Sequence, residues 1–212
     1  QQGAPLEYVR ALFDQYAFNY DTHVKTMLNY QVPEKMRQAI APFATKATKA
    51  WDVLDLGCGT GLCAPYFTDV AGKMVGVDIS PNMIEVANQK GGYHKLHVED
   101  ALNFLAKTQY TYDLIIAADV FVYFAELHAI LSAIGLKLVP QGFCIFSIEK
   151  CEDSEGPFIL RKTGRYAHSA SYLQTLCAQL HLLVLFQEET ILRKQEDQDV
   201  YGYIIIVQKI SV

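Results

Sequence analysis

The sequence of 212 residues contains no block of lysine and arginine, and its formal net charge is −5. Proteins that bind DNA or RNA gather basic residues on one face or segment, because phosphate contacts supply most of their affinity. We therefore expect no nucleic-acid partner. The hydrophobic fraction of 51% and the charged fraction of 19% are typical of a domain with a substantial core, and we expect a single domain over residues 1–212.

Paired cysteines and long apolar stretches are missing as well. The five cysteines are odd in number and include no Cys-x-x-Cys pair, so neither a disulfide framework nor a zinc site is indicated. We expect small buried cysteines in a reducing compartment, which predicts a cytoplasmic protein without a metal. No apolar stretch approaches the roughly 20 residues that span a bilayer, and we expect no membrane association.

From about Gly72 onward, the sequence alternates between short β-rich runs and helical patterns. Residues 73–78 are a strand candidate, and Pro81 begins a helix for which Ser80 is the expected N-cap. Residues 112–120 form a continuous apolar run, which is typical of a strand covered on both faces. The alternation predicts βαβ units and a doubly wound, mostly parallel sheet of the α/β class.

The two ends of the chain have patterns of their own. Between residues 6 and 28, apolar and aromatic side chains recur at helical spacing, and Pro33 begins a second helix that Pro42 is expected to end. We expect residues 1–44 to form a helical lid on an α/β core of residues 45–212.

The C-terminal third begins with a loop-like stretch over residues 151–166, after which Ser169 begins a predicted helix. Two strand candidates follow, over residues 182–192 and 201–209, and the polar residues between them indicate a hairpin. We expect these two strands to lie antiparallel at one edge of the sheet.

The most informative stretch is VLDLGCGTG, residues 53–61. A buried strand runs into three glycines within five positions, and a helical pattern follows. Glycines at the carboxyl end of a first strand allow a tight turn and let a ligand approach the backbone closely. Asp55 places a negative charge beside this loop, which suits a ligand with polar hydroxyls or a cationic amino group.

Two more acidic residues end the strands that follow. Asp78 comes after Gly57 at a spacing at which an acidic residue can accept hydrogen bonds from both hydroxyls of a ribose. Asp100 ends the third strand and is placed to meet the exocyclic amine of an adenine, although capping of the next helix is the alternative. Together with the glycine loop, these residues predict a pocket for an adenosine moiety.

The glycine spacing distinguishes between adenosine ligands. A dinucleotide loop reads G-x-G-x-x-G, whereas here the third glycine, Gly61, arrives one residue early and Leu62 stands in its place. The G-x-x-x-x-G-K-[ST] loop of nucleotide triphosphate sites does not occur in the sequence. A nicotinamide-dependent oxidoreductase stays open as an alternative, which Leu62 disfavours.

The pattern D-x-G-x-G-x-G after strand one, followed by an acidic end of strand two, resembles the class I S-adenosylmethionine-dependent methyltransferases. The resemblance covers about residues 45–150 and implies a Rossmann-like, seven-stranded fold with S-adenosylmethionine as cofactor. The whole chain is further similar to a bacterial group of small-molecule methyltransferases, some of which carry tetratricopeptide repeats upstream. This chain contains no such repeat, although a start at Gln1 is compatible with a missing upstream region. The oligomeric state, monomer or dimer, stays open.

The resemblance also implies roles for individual residues. Asp55, Gly57 and Gly59 match the loop that faces the methionine part of the cofactor. Cys58 lies between the two glycines and is included with them, the alternative being a small residue in a tight turn.

Further along the chain, Asp78 matches the ribose-binding acid, and Ile79 matches a residue that packs on the adenine. Asp100 and Ala101 match the contacts to the adenine edge. Asp119, at the end of strand four, matches a catalytic position that faces the sulfonium and the substrate, although an exposed carboxylate at a strand end is the alternative.

The N-terminal segment offers aromatic rings and one possible base. Tyr16 and Tyr20 are expected to shield the cofactor and to face its cationic sulfonium, with core packing as the alternative. His23 is a candidate proton acceptor, or else a solvated helix residue.

The loop after strand five is expected to overhang the site. Arg165 is a candidate ligand for an acidic substrate group, and His168 is a candidate proton acceptor. Tyr166, and Tyr123 after strand four, are candidate substrate contacts. The alternative for the segment 165–168 is an ordinary surface loop.

The type of acceptor is only weakly indicated. No D/N-P-P-Y-like tetrapeptide follows strand four, where the chain has residues 119–122, DVFV. This departs from enzymes that methylate amino groups of nucleobases or glutamine, and it favours a small molecule with an oxygen, carbon or sulfur nucleophile. A module that binds the cofactor without catalysis, and acts through protein interactions, is the alternative function.

Overall fold

The computed structural model describes residues 5–21, 30–195 and 198–210. The helices are α1 Leu6–Tyr16, α2 Val32–Ala44, α3 Ala64–Phe67, α4 Pro81–Lys90, α5 Ala101–Lys107, α6 His128–Lys137 and α7 Ala170–Gln179. The strands are β1 Trp51–Leu56, β2 Ala71–Asp78, β3 Lys95–Val98, β4 Tyr112–Ala117, β5 Leu138–Lys150, β6 Phe158–Leu160, β7 Tyr166–His168, β8 Leu182–Gln195 and β9 Gln198–Lys209. Short 3-10 helices cover Ala17–Asn19, Phe121–Tyr123 and Asp153–Glu155.

All of these strands belong to one sheet, in which β3, β2, β1, β4 and β5 are neighbours in that order and run parallel. β9 then pairs antiparallel with β5, and β8 pairs antiparallel with β9. The strand order reverses between β1 and β4, which is the position where doubly wound sheets open a ligand crevice. The predicted α/β architecture and its antiparallel edge hairpin are therefore confirmed.

The central strands are covered on both faces, which explains their continuous apolar runs. Neighbouring residues of β1 point to opposite sides: Val53 packs in a cluster with α2 and α3, and Leu54 packs in a cluster with α5, α6 and α7. Leu114 and Ile115 of β4 divide in the same way. All four side chains are fully buried.

Local sequence signals set the beginnings of two helices. Ser80 Oγ accepts a hydrogen bond from the Met83 amide at 3.1 Å, which caps α4 as predicted. Ser169 Oγ accepts one from the Tyr172 amide at 3.3 Å, which caps α7. Each cap satisfies an amide that the helix itself leaves without a partner.

Other predicted boundaries were wrong. Pro42 does not end α2, which continues to Ala44, because a proline in the last turn removes only a single helical hydrogen bond and the Thr45 amide still bonds to the Ala41 carbonyl. The predicted loop over 151–166 contains the short hairpin of β6 and β7, which adds two strands to the seven expected and pairs with the end of β5.

Apolar side chains at helical spacing over residues 124–138 predict a helix there, but the helix begins only at His128, after the 3-10 turn. At the N-terminus, α1 ends at Tyr16, and the rest of the predicted helix lies partly outside the described residues. Within the described part of the chain, no helix combines the length and apolar character that crossing a membrane requires.

A glycine at the edge hairpin provides a test of this packing. A Cβ on Gly202 would lie 2.2 Å from the Ile148 carbonyl oxygen and 2.4 Å from Leu192 Cδ1. We expect Gly202→Ala to lower the free energy of unfolding by about 1–3 kcal/mol, since neither the backbone of β5 nor a buried leucine can move aside freely. Urea denaturation followed by circular dichroism measures the change.

The matched control is Gly135→Ala in α6. Here the nearest atom to the added Cβ is Leu182 Cδ2 at 3.8 Å, an ordinary contact. We expect this variant to be more stable than the wild type by about 0.5–1 kcal/mol, because alanine favours the helix. Equal stability of the two variants would contradict the packing described for β9.

Candidate functional site

A cavity of about 880 Å³ opens where the carboxyl ends of β1, β2 and β4 meet, and α1 covers it from the other side. Most of the predicted site residues lie in its wall: Tyr16, Tyr20, Gly57, Gly59, Asp78, Ile79, Asp100, Ala101, Asp119, Tyr123 and Arg165. The sheet thus gathers side chains that are far apart in the sequence. The volume of the cavity is sufficient for a ligand the size of a nucleoside together with a small second molecule.

The loop after β1 forms one wall and depends on its glycines. The amides of Gly57 and Cys58 both donate to the Val77 carbonyl, at 2.8 and 2.9 Å, which folds the loop back onto β2. Gly57 has a φ of 70°, and a Cβ there would lie 2.4 Å from Val120 Cγ2. Gly59 has a φ of 51° and open space where a side chain would stand, so a ligand can approach its backbone.

Asp78 joins this loop to α4. Its Oδ2 accepts a hydrogen bond from the Gly59 amide at 2.8 Å, and its Oδ1 accepts one from the Ser80 amide at 2.9 Å. Burial raises the pKa of this carboxyl to about 6, although the amide donors work in the opposite direction. Each carboxylate oxygen has a further lone pair, so Asp78 can also accept hydrogen bonds from two ligand hydroxyls.

Asp100 both caps a helix and faces the cavity, so its location is compatible with both of the roles predicted for it. Its Oδ1 caps α5 by accepting from the Asn103 amide at 2.9 Å, and the residue also lies in the cavity wall beside Ala101. Ile79, Val77 and other apolar side chains complete this end of the cavity. The combination of a flat apolar wall and one acidic edge suits a purine base.

The opposite end of the cavity is charged. Asp119 has a φ of 56°, and Ser147 fixes it from both sides: the Asp119 amide donates to Ser147 Oγ at 2.9 Å, and this hydroxyl donates to Asp119 Oδ1 at 2.8 Å. Arg193 Nη1 lies 3.6 Å from Asp119 Oδ2. The carboxylate therefore has a fixed orientation in the wall.

Arg193 is the main residue that the sequence did not reveal. Its side chain is only 2% exposed, it lies in the cavity wall, and it is hydrogen-bonded to the buried Glu149. In the sequence it belongs to the polar stretch that was interpreted as the connection of the edge hairpin. β8 continues through that stretch to Gln195, which carries Arg193 inward instead of leaving it in solvent.

Aromatic rings separate the charged end from solvent. Phe13 of α1 packs edge-to-face against Tyr20 at 6.3 Å and against Tyr123 at 5.6 Å between ring centroids. Tyr30, which the sequence did not single out, lies in the same wall. Burial raises the pKa of the hydroxyls of Tyr20, Tyr30 and Tyr123 above the usual value, so all three remain neutral donors.

Two carboxylates attach the N-terminal segment to the cavity rim. Asp14 Oδ1 accepts a hydrogen bond at 2.5 Å from Ser80 Oγ, the same hydroxyl that caps α4. Asp21 Oδ1 accepts one from the Thr60 hydroxyl of the glycine loop at 2.5 Å, and Lys90 pairs with the same carboxylate. The segment is thus connected to the two elements that Asp78 joins.

Asp55 and Cys58, assigned to the cofactor, are not in the cavity wall. Asp55 is buried behind the loop, where its Oδ2 accepts a hydrogen bond from the Tyr93 hydroxyl at 2.6 Å. Burial raises the pKa of its carboxyl to about 7. The thiol of Cys58 points towards Gly76 of β2, away from the cavity.

His168 and Tyr166 are also outside the wall. His168 is fully buried, and its Nε2 is hydrogen-bonded to the carbonyls of Phe124 and Ala125 at 3.0 and 3.1 Å. This fixes the neutral ring, and burial lowers its pKa to about 4. Tyr166 packs against Phe158 instead. His23 lies outside the described residues.

A family model described as a methyltransferase domain matches residues 28–191. The chain therefore belongs to the methyltransferase domain family, and the resemblance to class I S-adenosylmethionine-dependent methyltransferases is confirmed. S-adenosylmethionine is the cofactor of this family. The oxidoreductase alternative no longer has support.

Among curated proteins, the chain is 29% identical over 140 residues to a malonyl-[acyl-carrier protein] O-methyltransferase of Acetivibrio thermocellus, which covers 64% of this chain and 47% of that protein. It is 39% identical over 87 residues to a demethylmenaquinone methyltransferase of Symbiobacterium thermophilum, which covers 40% of this chain and 34% of that protein. The chain thus spans less than half the length of these curated relatives.

Solved structures share the fold. Magnesium protoporphyrin IX methyltransferase of Synechocystis PCC 6803 with bound SAH has a TM-score of 0.72 at 19% identity, covering 96% of this chain and 99% of that chain. The 1,6-didemethyltoxoflavin-N1-methyltransferase of Burkholderia thailandensis has a TM-score of 0.72 at 15% identity, covering 100% of this chain and 92% of that chain.

The buried carboxyl of Asp55 predicts a pH dependence of stability. Its pKa is about 7 in the folded chain and near 3.8 when unfolded, so the folded state binds more protons between these values. Stability contributed by this group is therefore lost as the pH rises from about 4 to 7. We expect this loss to be absent in Asp55→Asn. Between pH 5 and pH 8, the free energy of unfolding of this variant should therefore rise relative to the wild type by on the order of 3 kcal/mol.

Urea denaturation at pH 5 and pH 8 measures this difference. Asp78 retains a contribution of the same sign in both proteins, because its pKa is also raised. Asp69→Asn is the control: the hydrogen bond from Arg37 lowers the pKa of Asp69, so its small contribution has the opposite sign. Parallel pH profiles for wild type and Asp55→Asn would contradict the assignment.

Proposed function

We propose that this protein transfers a methyl group from S-adenosylmethionine to a small-molecule acceptor. The observation that carries the proposal is the single cavity wall that holds Asp78, the open backbone of Gly59 and the acidic residue Asp119. Asp78 suits a ribose, the backbone of Gly59 suits the amino-acid part of the cofactor, and Asp119 suits a sulfonium. The family supports the reaction type.

The adenosine would occupy the end of the cavity formed by β2 and β3. Asp78 would accept hydrogen bonds from the ribose hydroxyls, because both of its oxygens keep a free lone pair. Ile79 would pack against the adenine, and Asp100 with Ala101 would meet its edge. The methionine part would lie along the backbone of Gly57 and Gly59. Asp55 would act behind the loop, by fixing it through Tyr93.

The cofactor, when bound, supplies a methyl group on a positively charged sulfur, which is already activated for transfer. The chain has to align a nucleophile of the acceptor with that methyl group and to keep water out. Alignment of this kind contributes on the order of 7–11 kcal/mol in favourable cases. Tyr20, Tyr123 and Phe13 would exclude water, because their rings pack against each other across the charged end.

Asp119 would act by its charge and position. Ser147 holds its carboxylate in one orientation, so a negative charge is available near the place proposed for the sulfonium without any rearrangement. His168 is unsuited to accept a proton from the acceptor, because both its burial and its two carbonyl partners keep it out of the cavity.

We propose further that the N-terminal segment acts as a lid in a single domain, and that the protein works in the cytoplasm without a nucleic-acid partner. The hydrogen bonds of Asp14 to Ser80 and of Asp21 to Thr60 support the lid, since they connect the segment to the glycine loop and to α4. The five buried, free cysteines support a reducing compartment.

The proposal predicts how a ribose contact contributes to binding. Isothermal calorimetry with S-adenosylhomocysteine should give micromolar-range affinity for the wild type and at least tenfold weaker binding, about 1.4 kcal/mol, for Asp78→Ala. Asp78→Asn, which keeps a similar shape, should also bind more weakly. Glu85→Ala is the control, because Glu85 is exposed on α4 and lies outside the cavity wall.

Unchanged affinity in both Asp78 variants, with folding verified by circular dichroism, would defeat the ribose assignment. Tight binding without methyl transfer to any compound of a broad acceptor panel would instead favour the non-catalytic module. Tritium transfer from labelled S-adenosylmethionine measures turnover in the same samples.

The lid predicts a second effect on binding. We expect the double variant Asp14→Ala with Asp21→Ala to bind S-adenosylhomocysteine about tenfold more weakly, because hydrogen bonds to charged groups hold the closed segment. Bound S-adenosylhomocysteine should also protect the N-terminal segment of the double variant from trypsin less than it protects that of the wild type.

Glu7→Ala, an exposed change on α1, serves as the control and should match the wild type in both measurements. If the double variant retains full affinity and full protection, the segment is a fixed part of the wall and the lid is excluded.

A further inference from the structure

Two guanidinium groups meet at the charged end of the cavity. Arg193 reaches it from β8, and Arg165 reaches it from the residue before β7. Both surround the carboxylate of Glu149: Arg193 Nη2 is hydrogen-bonded to Glu149 Oε1, and Arg165 Nη1 lies 3.9 Å from the same oxygen. The hairpin of β6 and β7 and the edge strand β8 therefore supply one joint cluster of charges.

Each arginine keeps a donor without a partner. Among the residues that the structure describes, Nη1 of Arg193 and Nη1 of Arg165 are buried and make no hydrogen bond. Arg193 Nη1 is 3.6 Å from Asp119, near enough for an ion pair and too far for a hydrogen bond. Buried guanidinium donors are normally satisfied, because an unpaired one carries the full desolvation penalty.

The charges at this end do not balance once the cofactor of the proposed function is added. Arg165 and Arg193 are offset by Asp119 and Glu149, and the sulfonium then contributes one further positive charge. The neighbouring hydroxyls of Tyr20, Tyr30 and Tyr123 stay neutral, since burial raises their pKa. An anionic group on the acceptor restores neutrality and supplies acceptors for the free donors.

We propose that the acceptor is a carboxylic acid whose carboxylate binds between Nη1 of Arg193 and Nη1 of Arg165. This rests on the proposed function, because it defines the substrate class of the same cavity. A carboxylate has two oxygens, so it can accept one charge-assisted hydrogen bond from each of the two guanidinium groups. The Tyr123 hydroxyl lies beside Arg165 and provides a further polar contact. The apolar rings around the charges favour an acid with an aromatic or extended apolar body.

Binding of matched probes tests this assignment. The protein is saturated with sinefungin, a cofactor analogue whose protonated amine stands in for the positive charge of the sulfonium. Calorimetry then measures benzoate, 4-hydroxybenzoate, 3-phenylpropanoate and indole-3-acetate, each against its primary amide. We expect at least one acid to bind, and to bind at least tenfold more tightly than its amide, because the amide places an N–H group against a guanidinium donor.

Variants locate the preference. Arg193→Gln combined with Glu149→Gln removes one charge of each sign, so Glu149 does not remain as a buried carboxylate without its arginine, while Asp119 keeps the hydrogen bond from Ser147. We expect this double variant and Arg165→Gln each to lose the preference for acid over amide, while S-adenosylhomocysteine still binds. Arg161→Gln is the control, because Arg161 pairs with Glu155 and is not in the cavity wall.

The outcomes separate the two proposals. Amides that bind as tightly as acids, a preference for acid that survives in either variant, or the binding of no acid at all would overturn the carboxylate site. If the wild type does not bind S-adenosylhomocysteine, the proposed function itself is overturned.

Discussion

The carboxylate of Asp78 accepts hydrogen bonds from two amides that belong to different elements, Gly59 of the glycine loop and Ser80 at the start of α4. Ser80 in turn caps α4 and donates its hydroxyl to Asp14 of α1. One buried acid therefore connects the first two βα units, and through Ser80 it also orients the segment that covers them. The cavity depends on this connection, because its walls belong to the elements that are joined.

The two ends of the cavity are built by different parts of the chain. The parallel strands provide the end proposed for adenosine, where backbone amides and one acid per strand terminus determine the contacts. The charged end depends on the antiparallel edge, because β8 carries Arg193 back towards β5 and its Glu149. This division fits a domain in which a common binding function is combined with a variable acceptor site.

The sequence predicted most of the fold and many of the residues in the cavity wall. Glycine spacing, buried strand runs and helix caps are local signals, so the main strands, Asp78 and the caps at Ser80 and Ser169 could be predicted. The direction of a side chain at a strand or loop residue is not local. Asp55 and Cys58 were therefore assigned to the cavity, although Asp55 lies behind the loop and the thiol of Cys58 points away from the cavity. His168 was assigned as a base although it is buried against carbonyls.

The sequence by itself determined the class of fold, the position of the cavity at the carboxyl ends of the strands and the acid at the end of β2, because each follows from residue types at fixed spacing along neighbouring elements. Only the tertiary structure decided that Arg193 and Arg165 meet around Glu149, and that Tyr30 joins the wall. These residues are far apart in the chain, and they meet only because β5, β7 and β8 come together in one sheet, which is not a local property of the sequence.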